Sequence, residues 1–226
     1  MPNRSMIIVA GGSGTRMGSD LPKQFIDIVG KPILMHTLEA LHRIDPSMQL
    51  VLVLPKDQFG YWEELVEKHR FTVPFQLCEG GATRFLSVAS GLKEVAGNLV
   101  GVHDGVRPFV ESPMVNACFE AARVNGAAVP VVPMVQSLRK VEGSESRSVN
   151  REMYRAVQTP QCFRTDILKN AFAHAAGTDY SDDATVVEAF GQRVELVEGD
   201  LMNIKITSPM DLQLAELIAT RRTLSQ

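Results

Sequence analysis

Two basic residues, Arg16 and Lys23, lie in a run of small residues, AGGSGTRMGSDLPKQF over 10–25, that directly follows the apolar stretch SMIIVA. The chemistry open to such a run is anion binding. Glycine has no Cβ, so the main chain of Ala10, Gly11, Gly12 and Gly14 can bring its N–H groups close to phosphate oxygens, and the two cations add fixed positive charge. A strand, then a glycine-rich loop, then basic residues is what a chain needs to wrap its backbone around a nucleoside triphosphate. Two other phosphate motifs fail on spacing. A dinucleotide fingerprint needs a third glycine three residues after the second, where Gly12 and Gly14 are followed by Met17. A Walker A loop needs glycine, four residues, then Gly-Lys-Ser/Thr, and no glycine here meets it. What remains is G-G-x-G-T-R-M followed by P-K-Q-F. Its plain alternative is a glycine-rich turn with surface cations.

Further groups of this kind recur downstream. Asp104 closes the run LVGVHD, and ligands of open α/β sheets gather at strand ends. Its plain alternative is a turn cap. Gly80-Gly81-Ala82-Thr83-Arg84 leads from a strand pattern into a helical one, and Arg84 and Ser87, three apart, share one side of that helix. Lys205 alternates with Ile204 and Ile206 in NIKIT, which predicts a short strand with the lysine on its inward face, a costly place without an anion. His103 reads as structural, and no zinc-type cluster appears among the histidines. No Ser-His-Asp order accompanies a nucleophile elbow.

The elements that must hold these groups are legible. SMIIVA (5–10), QLVLVL (49–54), FQLC (75–78) and LVGVHD (99–104) are compact apolar runs of buried-strand type. Leu34, Leu38 and Leu41 recur at helical spacing, as do Phe85, Val88, Ala89 and Leu92. Such alternation predicts a largely parallel sheet with helices on both faces. The last helix has Ser208 as cap, Pro209 in its first turn and Asp211 completing a box, with Met210, Leu214, Leu217 and Ile218 as its apolar face. Val129–Val157 breaks the pattern, with two alternating runs around a polar Gly-Ser-Glu-Ser centre, and reads as a hairpin.

Bulk properties are ordinary for a soluble globular protein. The 226 residues suit one domain, 45% of them are hydrophobic and 22% charged. A net charge of −3 gives no global field for nucleic acid or an anionic membrane, so a phosphate must be caught by local cations. Cys78, Cys118 and Cys162 lack metal spacing and read as reduced thiols. No stretch is apolar enough to span a membrane, and residues 1–9 lack a signal-peptide layout, so a cytoplasmic protein is expected.

Beside the glycine loop, five motifs stand in order: His103-Asp104-Gly105-Val106-Arg107-Pro108, Thr159-Pro160-Gln161, Ser181-Asp182-Asp183-Ala184, Gly199-Asp200 and Asn203-Ile204-Lys205-Ile206-Thr207. Together with the loop they resemble the sugar-phosphate nucleotidyltransferases, and within them the methylerythritol-phosphate cytidylyltransferase family, over about residues 5–220. The resemblance implies a Rossmann-like three-layer α/β sandwich, one domain over 1–226 with a dimerisation and substrate arm at about 134–157. It implies transfer of the cytidylyl group of CTP to 2-C-methyl-D-erythritol 4-phosphate, with release of pyrophosphate, in the non-mevalonate isoprenoid pathway.

By the same resemblance Arg16, Lys23 and Lys205 are catalytic. Ala10, Gly11, Gly12, Gly14, Gly81, Arg84, Ser87 and Asp104 hold the nucleotide, and Asp104 binds Mg²⁺. Arg107 binds substrate phosphate or supports its loop. Ser137 and Arg151, donated by the second subunit of a homodimer, and Thr159 meet the acceptor. Departures from the family pattern are Met202 and Ala82, each where an acidic residue is frequent, and Val135-Gln136 where Arg-Asp is frequent. A ribitol-5-phosphate cytidylyltransferase shares fold and reaction and differs at the acceptor pocket. A nucleotide-sensing protein without turnover is a second alternative, opposed by the intact Arg16, Lys23, Asp104 and Lys205.

Overall fold

The computed structural model describes residues 3–12 and 21–224. In chain order its elements are β1 (Arg4–Val9), β2 (Asp27–Ile28), β3 (Lys31–Pro32), α1 (Ile33–Ile44), β4 (Gln49–Leu54), α2 (Phe59–Lys68), β5 (Gln76–Glu79), α3 (Arg84–Glu94), β6 (Leu99–Asp104), α4 (Ser112–Asn125) and β7 (Ala127–Pro133). There follow β8 (Leu138–Glu142), β9 (Glu145–Val149), β10 (Arg155–Val157), β11 (Gln161–Arg164), α5 (Thr165–Ala173), α6 (Asp183–Ala189), β12 (Glu195–Glu198) and α7 (Pro209–Leu224).

Alternation along the strands builds the three layers. In β1 and β4, Met6, Ile8, Leu50, Leu52 and Leu54 face one side, where they pack with α1, α2 and α4 through Leu38, Trp62 and Phe119. Ile7, Val51 and Val53 face the other, against α3, α5 and α6 through Val88, Leu168 and Val187. Because both faces are covered, the strands read as unbroken apolar runs. The main sheet runs β10-β7-β11-β6-β1-β4-β5, with β12 on the remaining edge of β7. Pairing makes β1, β4, β5, β6, β7 and β12 parallel to one another, while β10 and β11 run against them. The mostly parallel three-layer sandwich expected from the sequence is the observed fold.

β8 and β9 form a separate two-stranded hairpin whose residues are almost all exposed. Its two-residue loop opens on Gly143 at φ +61°, the left-handed region that a tight hairpin turn requires. The hairpin is shorter than the stretch read from sequence, because Arg155–Val157 return to the main sheet and pair with β7.

Two other expectations change. Residues 203–207 are not a regular strand; the segment is irregular and is tied by Ile206 N–H donating to the Val106 carbonyl at 3.0 Å. Ile206 points into the core and Lys205 the other way, into the cleft, where it stays part-exposed and pairs with the anion that such a position needs, Asp104. Helix α7 starts as expected, with Asp211 N–H donating to Ser208 Oγ at 3.3 Å and Ser208 N–H donating to Asp211 Oδ2 at 2.8 Å. Its buried face, however, is Ala215, Ile218 and Ala219, and Met210, Leu214 and Leu217 are exposed. Small side chains let this helix sit close to Ile28, Ile33 and Val106, so they make the contact instead of the larger residues.

Candidate active site

The carboxyl ends of β1, β5 and β6 open into one cleft walled by Ala10, Gly11, Gly12, Lys23, Gln24, Gly81, Arg84, Ser87, Asp104 and Lys205. The chain moves outward from β1 to β4 and β5, then returns to place β6 on the other side of β1. Ligands of open α/β sheets bind at such a reversal. Gly14 and Arg16 fall outside the described residues.

Lys23 opens a 3-10 turn, Lys23–Phe25, in which Phe25 N–H donates to the Pro22 carbonyl at 2.9 Å. Phe25 anchors the turn by stacking on Trp62, with ring centroids 6.1 Å apart, and meeting Tyr61 edge-on at 5.3 Å. The lysine side chain then lies across the glycine loop, since a Cβ on Gly12 would come within 3.3 Å of Lys23 Cε.

Opposite, Lys205 Nζ stands 3.0 Å and Arg107 Nε 3.2 Å from Asp104 Oδ2. Burial works to raise the Asp104 pKa, but Lys205, Arg107 and Arg84 outweigh it and hold the carboxyl down at about 2. It is therefore ionised at any physiological pH. Arg107 is buried and also donates to the Asn203 carbonyl at 2.8 Å, so its guanidinium supports the loop and does not reach the cleft wall. Thr159, expected at the acceptor pocket, is likewise inside. Its hydroxyl accepts from Asp104 N–H at 3.1 Å and lies 3.0 Å from His103 Nδ1. That hydroxyl is free to donate to Nδ1, which leaves His103 Nε2–H to donate to the Arg107 carbonyl at 3.1 Å. Burial lowers the His103 pKa to about 4, so the ring is neutral and fastens the main chain around Asp104.

Arg84 and Ser87 do share one side of α3 and both line the cleft. Ser87 Oγ accepts from Gly81 N–H at 3.1 Å and clasps the loop, which tolerates only glycine at 81 because an added Cβ would fall 2.4 Å from Leu86 Cβ. Thr83 caps α3, accepting from Leu86 N–H at 3.2 Å. Arg84 makes a two-pronged pair with Asp183, at 2.6 and 3.0 Å. Burial works against the Arg84 charge, but Asp183 more than offsets it and raises its pKa. The sequence gives Asp183 no role beyond its place in the Ser-Asp-Asp-Ala motif. That motif is in turn tied to Gln161, which donates to Asp182 Oδ2 and accepts from Ala184 N–H, both at 2.8 Å. Ser137 and Arg151 lie outside the cleft of their own chain, on exposed backbone at the arm, where Arg151 donates to the Val135 carbonyl at 2.5 Å.

A parallel sheet carrying a glycine loop, two lysines and a buried ionised aspartate at one reversal point defines a nucleotidyltransferase-type site. The chain belongs to the IspD family, 2-C-methyl-D-erythritol 4-phosphate cytidylyltransferase, whose profile matches residues 5–221. It is 50% identical over 216 residues to the 2-C-methyl-D-erythritol 4-phosphate cytidylyltransferase of Bacteroides fragilis, covering 95% of this chain and 99% of that one. The crystal structure of the enzyme of that name from Thermus thermophilus superposes with a TM-score of 0.81 at 39% identity, covering 96% of this chain and 98% of that one. The 4-diphosphocytidyl-2C-methyl-D-erythritol synthase of Anaerococcus prevotii gives a TM-score of 0.82 at 27% identity, over 96% and 98%.

Proposed function

We propose that this protein transfers the cytidylyl group of CTP to 2-C-methyl-D-erythritol 4-phosphate, releasing pyrophosphate, as a cytoplasmic step of isoprenoid biosynthesis carried by a single nucleotidyltransferase unit. The observation that carries the reading is the Lys205–Asp104–Arg107 cluster, whose Lys205 and Asp104 line the same cleft as Lys23 and the glycines of the loop. Family membership supports the donor and acceptor, and no described helix is long and apolar enough to cross a membrane.

The acceptor phosphate is already an anion near neutral pH, so its oxygen attacks the α-phosphorus without a general base. The difficulty is bringing two anions together and stabilising the charge that spreads as pyrophosphate leaves. Lys23 and Lys205 answer it as fixed cations on the cleft wall, the family resemblance adds Arg16, and Ala10, Gly11 and Gly12 line the cleft as a source of main-chain N–H donors. One carboxylate set against two cations leaves the Asp104 cluster net positive, so Lys205 has charge to give a phosphate. Gly81, Arg84 and Ser87 line the same cleft, and the family resemblance gives them to the nucleotide.

Asp104 also fits Mg²⁺, which takes one or two carboxylates and completes its shell with phosphate oxygens and water. Lys205 and Arg107 both approach Oδ2, which leaves Oδ1 as the oxygen a metal would take. Bound there, Mg²⁺ would supply charge neutralisation on the phosphates. The arm supports a homodimer in which Ser137 and Arg151 reach the neighbour's acceptor site, since Val135, Val141, Met153 and Tyr154 expose apolar surface there. Pyrophosphate release with CTP, Mg²⁺ and either methylerythritol phosphate or ribitol 5-phosphate tests the assignment. Turnover with the former supports it; turnover with ribitol phosphate alone moves the acceptor, and CTP binding without turnover favours a sensing role.

A further inference from the structure

Gln24 is a buried polar residue on the cleft wall, beside Lys23, that the chemistry above does not use. One end of its carboxamide is bonded, Nε2 donating to Gln58 Oε1 at 2.7 Å. The other end, Oε1, is buried without a hydrogen-bond partner. An unpaired buried polar atom destabilises a fold, and native structures hold few of them. Nor can this side chain swing readily to water, because its neighbour Phe25 is locked between Trp62 and Tyr61. Replacing it by an apolar residue of the same length would remove the cost, so its presence calls for a ligand.

The two ends of a carboxamide have the same shape and differ only in donating or accepting. With Gln58 donating to Gln24 Oε1, the Gln24 amino group becomes the end left unpaired, on a residue that lines the cleft and behind a wall that a ligand must press against to reach it. That cleft gathers Lys23, Lys205 and the glycine loop, so whatever fills it presents acceptor oxygens. We propose that Gln24 is a triphosphate-binding residue, oriented by Gln58, whose Nε2–H donates to a phosphate oxygen of the bound nucleotide. The proposal rests on the nucleotidyl-transfer reading and extends it to a residue that the sequence motifs leave without a role.

The test compares Gln24→Met and Gln24→Glu with the unaltered chain by calorimetric titration with CTP in the presence of Mg²⁺, by acceptor KM, and by thermal melting without nucleotide. Gln24→Met is expected to bind CTP about 10-fold or more weakly, the scale of a lost hydrogen bond to a charged group. It should keep the acceptor KM and melt at the same or a higher temperature, because an unpaired buried group has gone. Gln24→Glu keeps the shape, loses the donors and adds a like charge, so it should bind CTP more weakly still. A structural residue would behave the opposite way, with a lower melting temperature and unchanged CTP affinity in both variants, and that result overturns the proposal. If the unaltered chain binds no CTP, the nucleotidyl-transfer reading falls as well, and the two failures are told apart.

Discussion

Lys205 Nζ lies 3.0 Å from Asp104 Oδ2, joining the end of a central strand to an irregular segment far along the chain. Three ties bring that segment there. Ile206 N–H reaches the Val106 carbonyl at 3.0 Å, Arg107 reaches the Asn203 carbonyl at 2.8 Å, and the Asn203 amide donates to the Thr159 carbonyl at 2.8 Å. The motifs that stand apart in sequence are thus one piece of structure, and its purpose on this account is to hold Asp104 and Lys205 at the cleft, with Arg107 behind them.

The Arg84–Asp183 pair should be costly to break from one side. Arg84→Ala leaves a fully buried carboxylate without its cation, and a loss of about 3–5 kcal/mol in unfolding free energy is expected. Replacing both partners, Arg84→Met with Asp183→Leu, should recover much of that stability. Chemical denaturation of these two variants beside the unaltered chain measures it, and equal losses in the single and double variants would show that the pair is not the source.

Arg151→Ala should raise the acceptor KM and leave the CTP KM near that of the unaltered chain. Whether the arm acts in trans is read by mixing subunits. A preparation of Lys205→Ala chains and one of Arg151→Ala chains, each weakly active, should regain activity when dissociated and reassociated together, because a mixed dimer contains one intact site. No gain in a verified mixed dimer would mean that each chain uses its own arm.

His36 carries a pH dependence of stability. Burial lowers its pKa, while its Nε2 meets the Ile28 carbonyl at 2.8 Å. An unfolded chain binds a proton near pH 6.5, the ordinary histidine value, and the folded chain does so only at lower pH. Between those two values the unfolded state holds more protons, so stability falls as pH falls through that window. His36→Gln should flatten this part of the curve of unfolding free energy against pH; an unchanged slope would assign it to other groups.

Much of this was legible in the sequence. QLVLVL and LVGVHD coincide with β4 and β6 because strands buried on both faces need no alternation to be recognised. Lys23, Arg84, Ser87, Asp104 and Lys205 do line one cleft: Asp104 ends β6, Arg84 and Ser87 open α3 after β5, and Lys23 and Lys205 come from a 3-10 turn and an irregular segment. What stayed hidden has a common cause in long-range register. Nothing in the spacing of Thr159 or Arg107 says that their polar atoms are spent beneath Asp104, and nothing local pairs Arg84 with Asp183. For α7 the alternatives differed only in which apolar residues turned inward. Ala215 and Ala219 won because they permit close approach, a fact that belongs to the neighbouring surface and not to the helix.

The central claim is that fixed cations at this cleft carry the reaction. Its most direct test is the steady-state kcat for pyrophosphate release by Lys23→Ala and Lys205→Ala, with circular dichroism to verify the fold. Loss of such a charge is expected to cost on the order of 3–4 kcal/mol in the transition state, a fall in kcat of about a hundredfold or more in each variant. Near-normal turnover in both, on an intact fold, would contradict the account.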